Sequence, residues 1–293
     1  MYRTIKEKGT YKKGEPNFSY GIIGFEKNGN EVKHYPFQEE DKFFHRMRIA
    51  LNGDEDIICA GFYSSFGISS SEGSFFIKID RETEEITSTV FHKFGMDILT
   101  ENLNEKQIEK IKGKEEKGKN MELKNYKLDK IIMREDGGAV LIAEQFYKDI
   151  TGEDFTTVYN SNNIIVVSIS PEGNLEWAEK IAKKQHSLYR EYCSYALAEV
   201  KEKLYFVFND HPKNLDYDGT GPVYDFTTRI KSNGVLVTLN TDGQQKREVL
   251  YSSEDSKLLA TPYLFKQTSD NELIISGRQS YRKHRLGKIT FKE

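Results

Sequence analysis

The stretch from Asn209 to Phe226 holds the residues best suited to do chemistry. Asn214, Asp216, Asp218, Gly219 and Asp225 take positions 1, 3, 5, 6 and 12 of a calcium-loop spacing, in which alternating oxygen ligands converge on one cation. The match is imperfect. Asn stands first, Asp replaces the bidentate Glu at the end, Pro222 interrupts, and no flanking helices are predicted. Calcium is therefore the one cofactor suggested, with Asn214, Asp216, Asp218 and Asp225 as candidate ligands, against the plainer reading of an Asx-rich surface loop. Asp210 beside His211 suggests acid–base chemistry, but neighbours on a strand point to opposite faces. His211-Pro212 reads better as a strand end, because Pro removes a ladder donor.

A second cluster lies near the C-terminus, where Arg278, Arg282, Lys283 and Arg285 crowd a turn with Tyr281, His284 and Lys288. These four basic residues form a candidate anion patch for a phosphate or an acidic partner. The plainer reading is a solvated hairpin turn, protected by its charge from edge pairing. Glu144 and Glu176 fall on strands, and no spacing fixes a second carboxylate opposite either, so a glycosidase pair cannot be argued. No nucleophile elbow, P-loop, dinucleotide fingerprint or HExxH is present. No catalytic residue is assigned. Trp177, the only tryptophan, is expected to pack between neighbouring repeats.

These residues are carried by a repeating hairpin: an apolar strand, a polar turn with Gly or Thr, and an alternating strand. It occurs at Tyr20 to Phe25, turning at Lys27 to Asn30, and at Ser74 to Ile79, turning at Arg81 to Glu84. It returns at Ile164 to Ile169, turning at Pro171 to Asn174, and at Val235 to Leu239, turning at Thr241 to Gln244. Such turns often need a positive φ, which Gly or a short polar residue supplies. A preceding strand (Asp56 to Phe62, Ala139 to Glu144, Leu204 to Phe208, Glu272 to Gly277) and a weaker one before it (Phe44 to Leu51, Leu128 to Met133, Tyr195 to Val200, Tyr263 to Gln267) complete the unit. Four short antiparallel strands are the composition of a propeller blade.

The predicted fold is all-β: a β-propeller-like array of about four four-stranded repeats, incomplete or part of a longer ring, with one helical insertion. A pair of β-sandwiches is the alternative. The repeats span 17–38 (partial), 40–95, 125–184, 192–252 and 260–293 (partial), in one domain over 1–293. The insertion, 96–124, is read as a helix over Ile98 to Ile111 and a charged tether from Gly113 to Lys119, since Leu99, Leu103, Ile108 and Ile111 fall near helical spacing.

Composition agrees with a folded β protein. The 293 residues include 18 Phe and 17 Tyr, too aromatic for a disordered chain despite 30% charged residues and a mean hydropathy of -0.67. A net charge of -3 gives no general attraction to nucleic acid, so none is expected as a partner. Cys59 and Cys193 each sit in an apolar or aromatic run and read as buried thiols. Apolar runs reach about six residues, far short of a membrane-spanning helix. Met1 to Gly14 is basic with no apolar region after it, so no signal peptide is visible.

The runs Glu135 to Gln145, Ser194 to Ala198 and Leu204 to Asn214 resemble a group of functionally uncharacterised bacterial proteins with propeller-like repeats. The resemblance covers most of residues 40 to 293. It implies a longer, exported parent protein and brings no activity or site residue with it, so the compartment stays open. The leading functional expectation is a non-enzymatic binding or scaffold module whose inter-strand loops hold a protein or carbohydrate ligand. The alternative is a carbohydrate-active hydrolase or lyase working at the propeller's central face.

Overall fold

The computed structural model describes residues 2–5, 18–25, 27, 29–37, 39, 41–67, 69–101, 103–118, 121–152, 155–228, 231–280 and 283–292. The fold is an all-β, propeller-like array of antiparallel sheets built from consecutive strands. Strands β1 (Tyr2–Ile5), β2 (Phe18–Phe25) and β3 (Glu31–Phe37) form a three-stranded sheet. Next come β4 (Phe43–Leu51), β5 (Ile57–Ser64), β6 (Ser70–Ser71), β7 (Gly73–Ile79) and β8 (Ile86–Lys93). They make a sheet ordered β4-β5-β7-β8, while β6 pairs with β9 (Leu123–Lys124).

Helices α1 (Met96–Thr100) and α2 (Glu105–Glu115) precede β9. The third sheet runs β10 (Tyr126–Met133), β11 (Ala139–Thr151), β12 (Thr156–Ile169) and β13 (Leu175–Ser187). The fourth runs β14 (Ala196–Val200), β15 (Lys203–Asp210), β16 (Asn233–Leu239) and β17 (Gln245–Ser252). A short helix, α3 (Ser253–Ser256), leads to β18 (Leu259–Ala260), β19 (Lys266–Ser269), β20 (Glu272–Ser280) and β21 (Lys283–Thr290). Both β18 and β19 pair with β20 at different points, and β21 pairs along its whole length. The last sheet is thus three strands wide, with its first strand broken.

The chain divides into two compact units. One comprises Met1–Leu99, Lys112–Leu141 and Val167–Glu176; the other comprises Thr100–Ile111, Ile142–Val166 and Trp177–Glu293.

In the first unit the core is aromatic. Phe18, Tyr20 and Ile22 alternate along β2 and bury one face, together with Phe37, Phe44 and Phe75. Ring centroids lie 5.5 Å apart for Phe37–Phe44 and 4.8 Å for Phe44–Phe75, both edge-to-face. Such pairs add about 0.5–1.5 kcal/mol each beyond the area they bury. The Tyr20 hydroxyl donates to the Phe44 carbonyl, which satisfies its polar tip. On the other side of the β4–β8 sheet, the turn at Gly173 rests on Phe76 and Val90. With both faces covered, β5 and β7 read as near-continuous apolar runs.

In the second unit Trp177 packs as the sequence suggested, against the turn of the next sheet, where its Nε1 donates to the Thr241 carbonyl at 2.9 Å. Near the end of β15 a side chain helps join the fourth sheet to the fifth, as Gln267 does through both backbone groups of Glu199. The Asn209 amide donates to the Ala260 carbonyl at 2.9 Å and accepts from the Ala260 N–H at 3.0 Å, reproducing a strand pairing with a side chain.

The repeated turns share one geometry. Ser170 N–H donates to the Asn174 carbonyl and Gly173 N–H to that of Ser170; Asn240, Gln244 and Gly243 repeat both bonds. Gly173 and Gly243 have φ of +93° and +86°, and in the Ile79 copy Glu84 takes that role at +54°. Ile79, Ile169 and Leu239, which precede these turns, are all buried.

Four expectations need correction. Phe25 does not share those surroundings: a bulge between Gly24 and Phe25 turns it outward, leaving it 62% exposed. The insertion is two helices, because Asn104 caps α2 in a reciprocal box with Gln107, each donating its N–H to the other's side chain at 3.0 Å. Gly113 lies inside α2, where a tether was expected. The first strand of the last sheet does not run unbroken from Tyr263 to Gln267, because Pro262–Leu264 form a 3-10 turn that splits it into β18 and β19. None of the described helices is long and apolar enough to cross a membrane.

Candidate functional site

The third sheet positions the site because its last three strands overrun the others. β11, β12 and β13 reach 13, 14 and 13 residues, so that residues 144–151 and 156–163, beyond the apolar runs read from the sequence, continue the ladder. Aromatic and β-branched residues spaced among polar ones (Phe146, Ile150, Thr157, Tyr159) sustain the pairing.

Where the apolar part of these strands ends, a polar network is buried. Lys183 Nζ donates to Glu144 Oε1 at 2.7 Å, the Ser161 carbonyl at 2.8 Å and Gln185 Oε1 at 3.1 Å. All three of its protons are therefore used. Ser194 Oγ donates to the other Glu144 oxygen at 2.9 Å, and Gln185 Nε2 donates to the Asn209 carbonyl at 2.8 Å. Beside it, Asp210 Oδ2 pairs with Arg247 Nη1 at 2.7 Å, and Phe208 lies under both cations. Burial pushes the Asp210 carboxyl above the usual range, against the pull of Arg247. These charges are neutralised inside the protein and are structural.

Above this network opens a cleft of about 800 Å³, lined by His186, Ser187, Leu188, Tyr189, Glu191, Tyr192, Thr227, Thr228, Leu259 and Arg278. His186 and Ser187 end β13. The connection that follows makes a 3-10 turn at Arg190–Tyr192, bringing the Tyr189 and Tyr192 rings 6.2 Å apart at 71°. Thr227 and Thr228 are held by a short parallel bridge: Phe226 N–H donates to the Lys184 carbonyl and His186 N–H to that of Phe226. Arg278 arrives from β20 and pairs with Glu191 at 3.3 Å. The cleft thus combines exposed aromatic surface with hydroxyls, an imidazole and one ion pair. A smaller cleft of about 300 Å³, rich in carboxamides, lies by Asn104, Gln145, Asn162, Asn163 and Lys184.

The residues singled out from the sequence are dispersed. Asn214 is buried, and its amide ties Asp210 to Tyr224: Nδ2 donates to Asp210 Oδ1 and the Tyr224 carbonyl, and Oδ1 accepts from Tyr224 N–H. Asp218 caps Thr220, and Asp225 pairs with Lys184 at 3.0 Å. Asp216 makes none of these contacts. Among the described residues no group of three or more His, Cys, Asp or Glu side chains is arranged to hold a metal.

Of the anion patch, Arg278 belongs to the cleft, Arg285 donates to Gln279 at 3.1 Å, Lys283 is exposed, and Arg282 lies outside the described residues. His211 Nδ1 accepts from Lys213 N–H and its ring stacks on Tyr224, away from Asp210 chemistry. Glu144 is held by Lys183 and Glu176 by Arg134, whose hydrogen bond lowers the Glu176 pKa. Cys59 and Cys193 are free and buried, and burial lifts both thiols to about 12. Sequence reasoning missed Tyr189 and Tyr192. The available signal was an aromatic-rich connection, Leu188 to Tyr192, following a strand of alternating polarity.

No family model matches the chain, and no curated protein matches it. Among solved structures, a GH43 β-1,3-galactosidase is similar at 8% identity and a TM-score of 0.25, covering 92% of this chain. This chain spans 59% of the length of that one.

Proposed function

We propose that the protein is a non-enzymatic binding module that holds a neutral saccharide in the larger cleft. One observation carries this reading: the exposed Tyr189 ring and the half-buried Tyr192 ring stand beside Thr227, Thr228, His186 and the Arg278–Glu191 pair. Aromatic faces take the apolar C–H side of a sugar ring, and a few polar groups at the rim fix its hydroxyls. Binding is favoured over bond breaking because Glu191 is the one carboxylate among the lining residues, and it is paired. A glycosidase needs two carboxyl groups, roughly 5–9.5 Å apart, facing one substrate.

Titration calorimetry with maltose, cellobiose and lactose tests the proposal. At least one should bind, and Tyr189→Ala should weaken it about tenfold, or about 1.4 kcal/mol, without lowering Tm. Failure of all three to bind, or unchanged affinity in the variant, refutes it. Accumulation of monosaccharide during the titration would establish a hydrolase instead.

A further inference from the structure

We infer that Asp149 and Asn160 are positioning residues that fix His186 with its proton on Nδ1, leaving Nε2 as a hydrogen-bond acceptor for a ligand hydroxyl in the larger cleft. The three residues stand on successive strands of one sheet, β11, β12 and β13. Asn160 Nδ2 lies 2.9 Å from Asp149 Oδ2, and Asn160 Oδ1 lies 3.1 Å from His186 Nδ1. A carboxylate accepts, so the amide must turn its nitrogen toward Asp149. Its oxygen then faces the imidazole, and an amide oxygen also only accepts. The proton must therefore sit on His186 Nδ1, because the partner of one ring nitrogen decides the state of the other.

Asn160 is 5% exposed, so its amide is enclosed and its orientation is set by these two contacts. His186 itself is exposed along the cleft, and among the described residues none hydrogen-bonds to Nε2. The cleft consequently offers a neutral acceptor near the guanidinium donor of Arg278, which suits a ligand with both a hydroxyl proton and an oxygen lone pair. This selectivity deepens the saccharide reading and rests on it for the ligand class; the tautomer itself does not.

The test uses the full ligand-free chain with 15N-labelled histidine and long-range proton–nitrogen NMR, which distinguishes protonated from unprotonated ring nitrogens. His186 should show a protonated Nδ1 and a bare Nε2. Asn160→Ala should return the ring to the Nε2-protonated form preferred by an unconstrained side chain. Asp149→Ala, at an exposed position that spares the fold, should give a mixture of tautomers. A protonated Nε2 in the unsubstituted neutral protein, or a tautomer unchanged by both substitutions, overturns the inference. Maltose, cellobiose and lactose are then added separately: a shift of the Nε2 resonance supports the acceptor role, and binding without such a shift removes it. If none binds while the Nδ1 proton is in place, the saccharide proposal fails and the tautomer assignment survives.

Discussion

Replacing Lys183 by Met should be among the most damaging single changes in the second unit. The Lys183 side chain is 0% exposed and that of its partner Glu144 is 6% exposed, so neither reaches solvent when the other is removed. Lys183→Met strips Glu144 Oε1 and the Ser161 carbonyl of a charged donor; only Ser194 still donates to the carboxylate. An uncompensated buried charge costs about 3–5 kcal/mol. Removing both charges with Lys183→Met and Glu144→Leu leaves neutral groups unpaired, at about 1–3 kcal/mol. The double variant should therefore be more stable than Lys183→Met alone, with a coupling of at least about 2 kcal/mol. Urea unfolding followed by Trp177 fluorescence is well placed to measure this, because Trp177 lies on the same strand. Far-UV circular dichroism must give a coincident transition for the free energies to be comparable. A Lys183→Met cost below about 1 kcal/mol, or additive single and double variants, would refute the reasoning.

Two further outcomes follow from local geometry. His45 is buried, and burial, reinforced by the Arg46 charge and opposed by the Ser70 backbone, lowers its pKa from 6.5 to about 4. The unfolded chain then binds the extra proton first, so this contribution is intact above pH 6.5 and is lost as pH falls toward 4, at about 3 kcal/mol in full. His45→Phe should flatten that limb of the stability profile in parallel urea titrations; an unchanged slope contradicts the assignment. Gly243→Ala places a Cβ 3.1 Å from Trp177 Cδ2 at a φ of +86°, and should cost about 1–3 kcal/mol with altered Trp177 emission. Native-like emission and stability would show that the turn relaxes freely.

The repeat was legible because its turns demand a backbone state that few residues supply. Gly173 and Gly243 mark equivalent places, and the apolar runs before them mark strands covered on both faces. Phe25 shows the limit of that logic: its strand has the same residue types, but a bulge decides which way the last side chain points. The ladder over residues 144–151 and 156–163 was obscured because aromatic, β-branched and polar residues are mixed along it, which removes the period-two contrast. The Asn104–Gln107 box was visible in principle, since an Asx residue three before Gln is a helix-start signal. The cleft was not visible, because Tyr189, Thr227 and Arg278 meet only after three separate segments have folded.

The Asn209 clasp gives this protein an uneven seam. Where the fourth sheet meets the fifth, carboxamides stand in for a strand edge: Asn209 clasps Ala260 at one end and Gln267 clasps Glu199 at the other. Substituting Leu for Asn209 would abolish both of its rungs together and leave every ladder intact. Peeling under load, or early amide exchange, should therefore begin at Ala260, while the Gln267 clasp and the Tyr205–Phe291 ring contact still hold the far end of the C-terminal sheet.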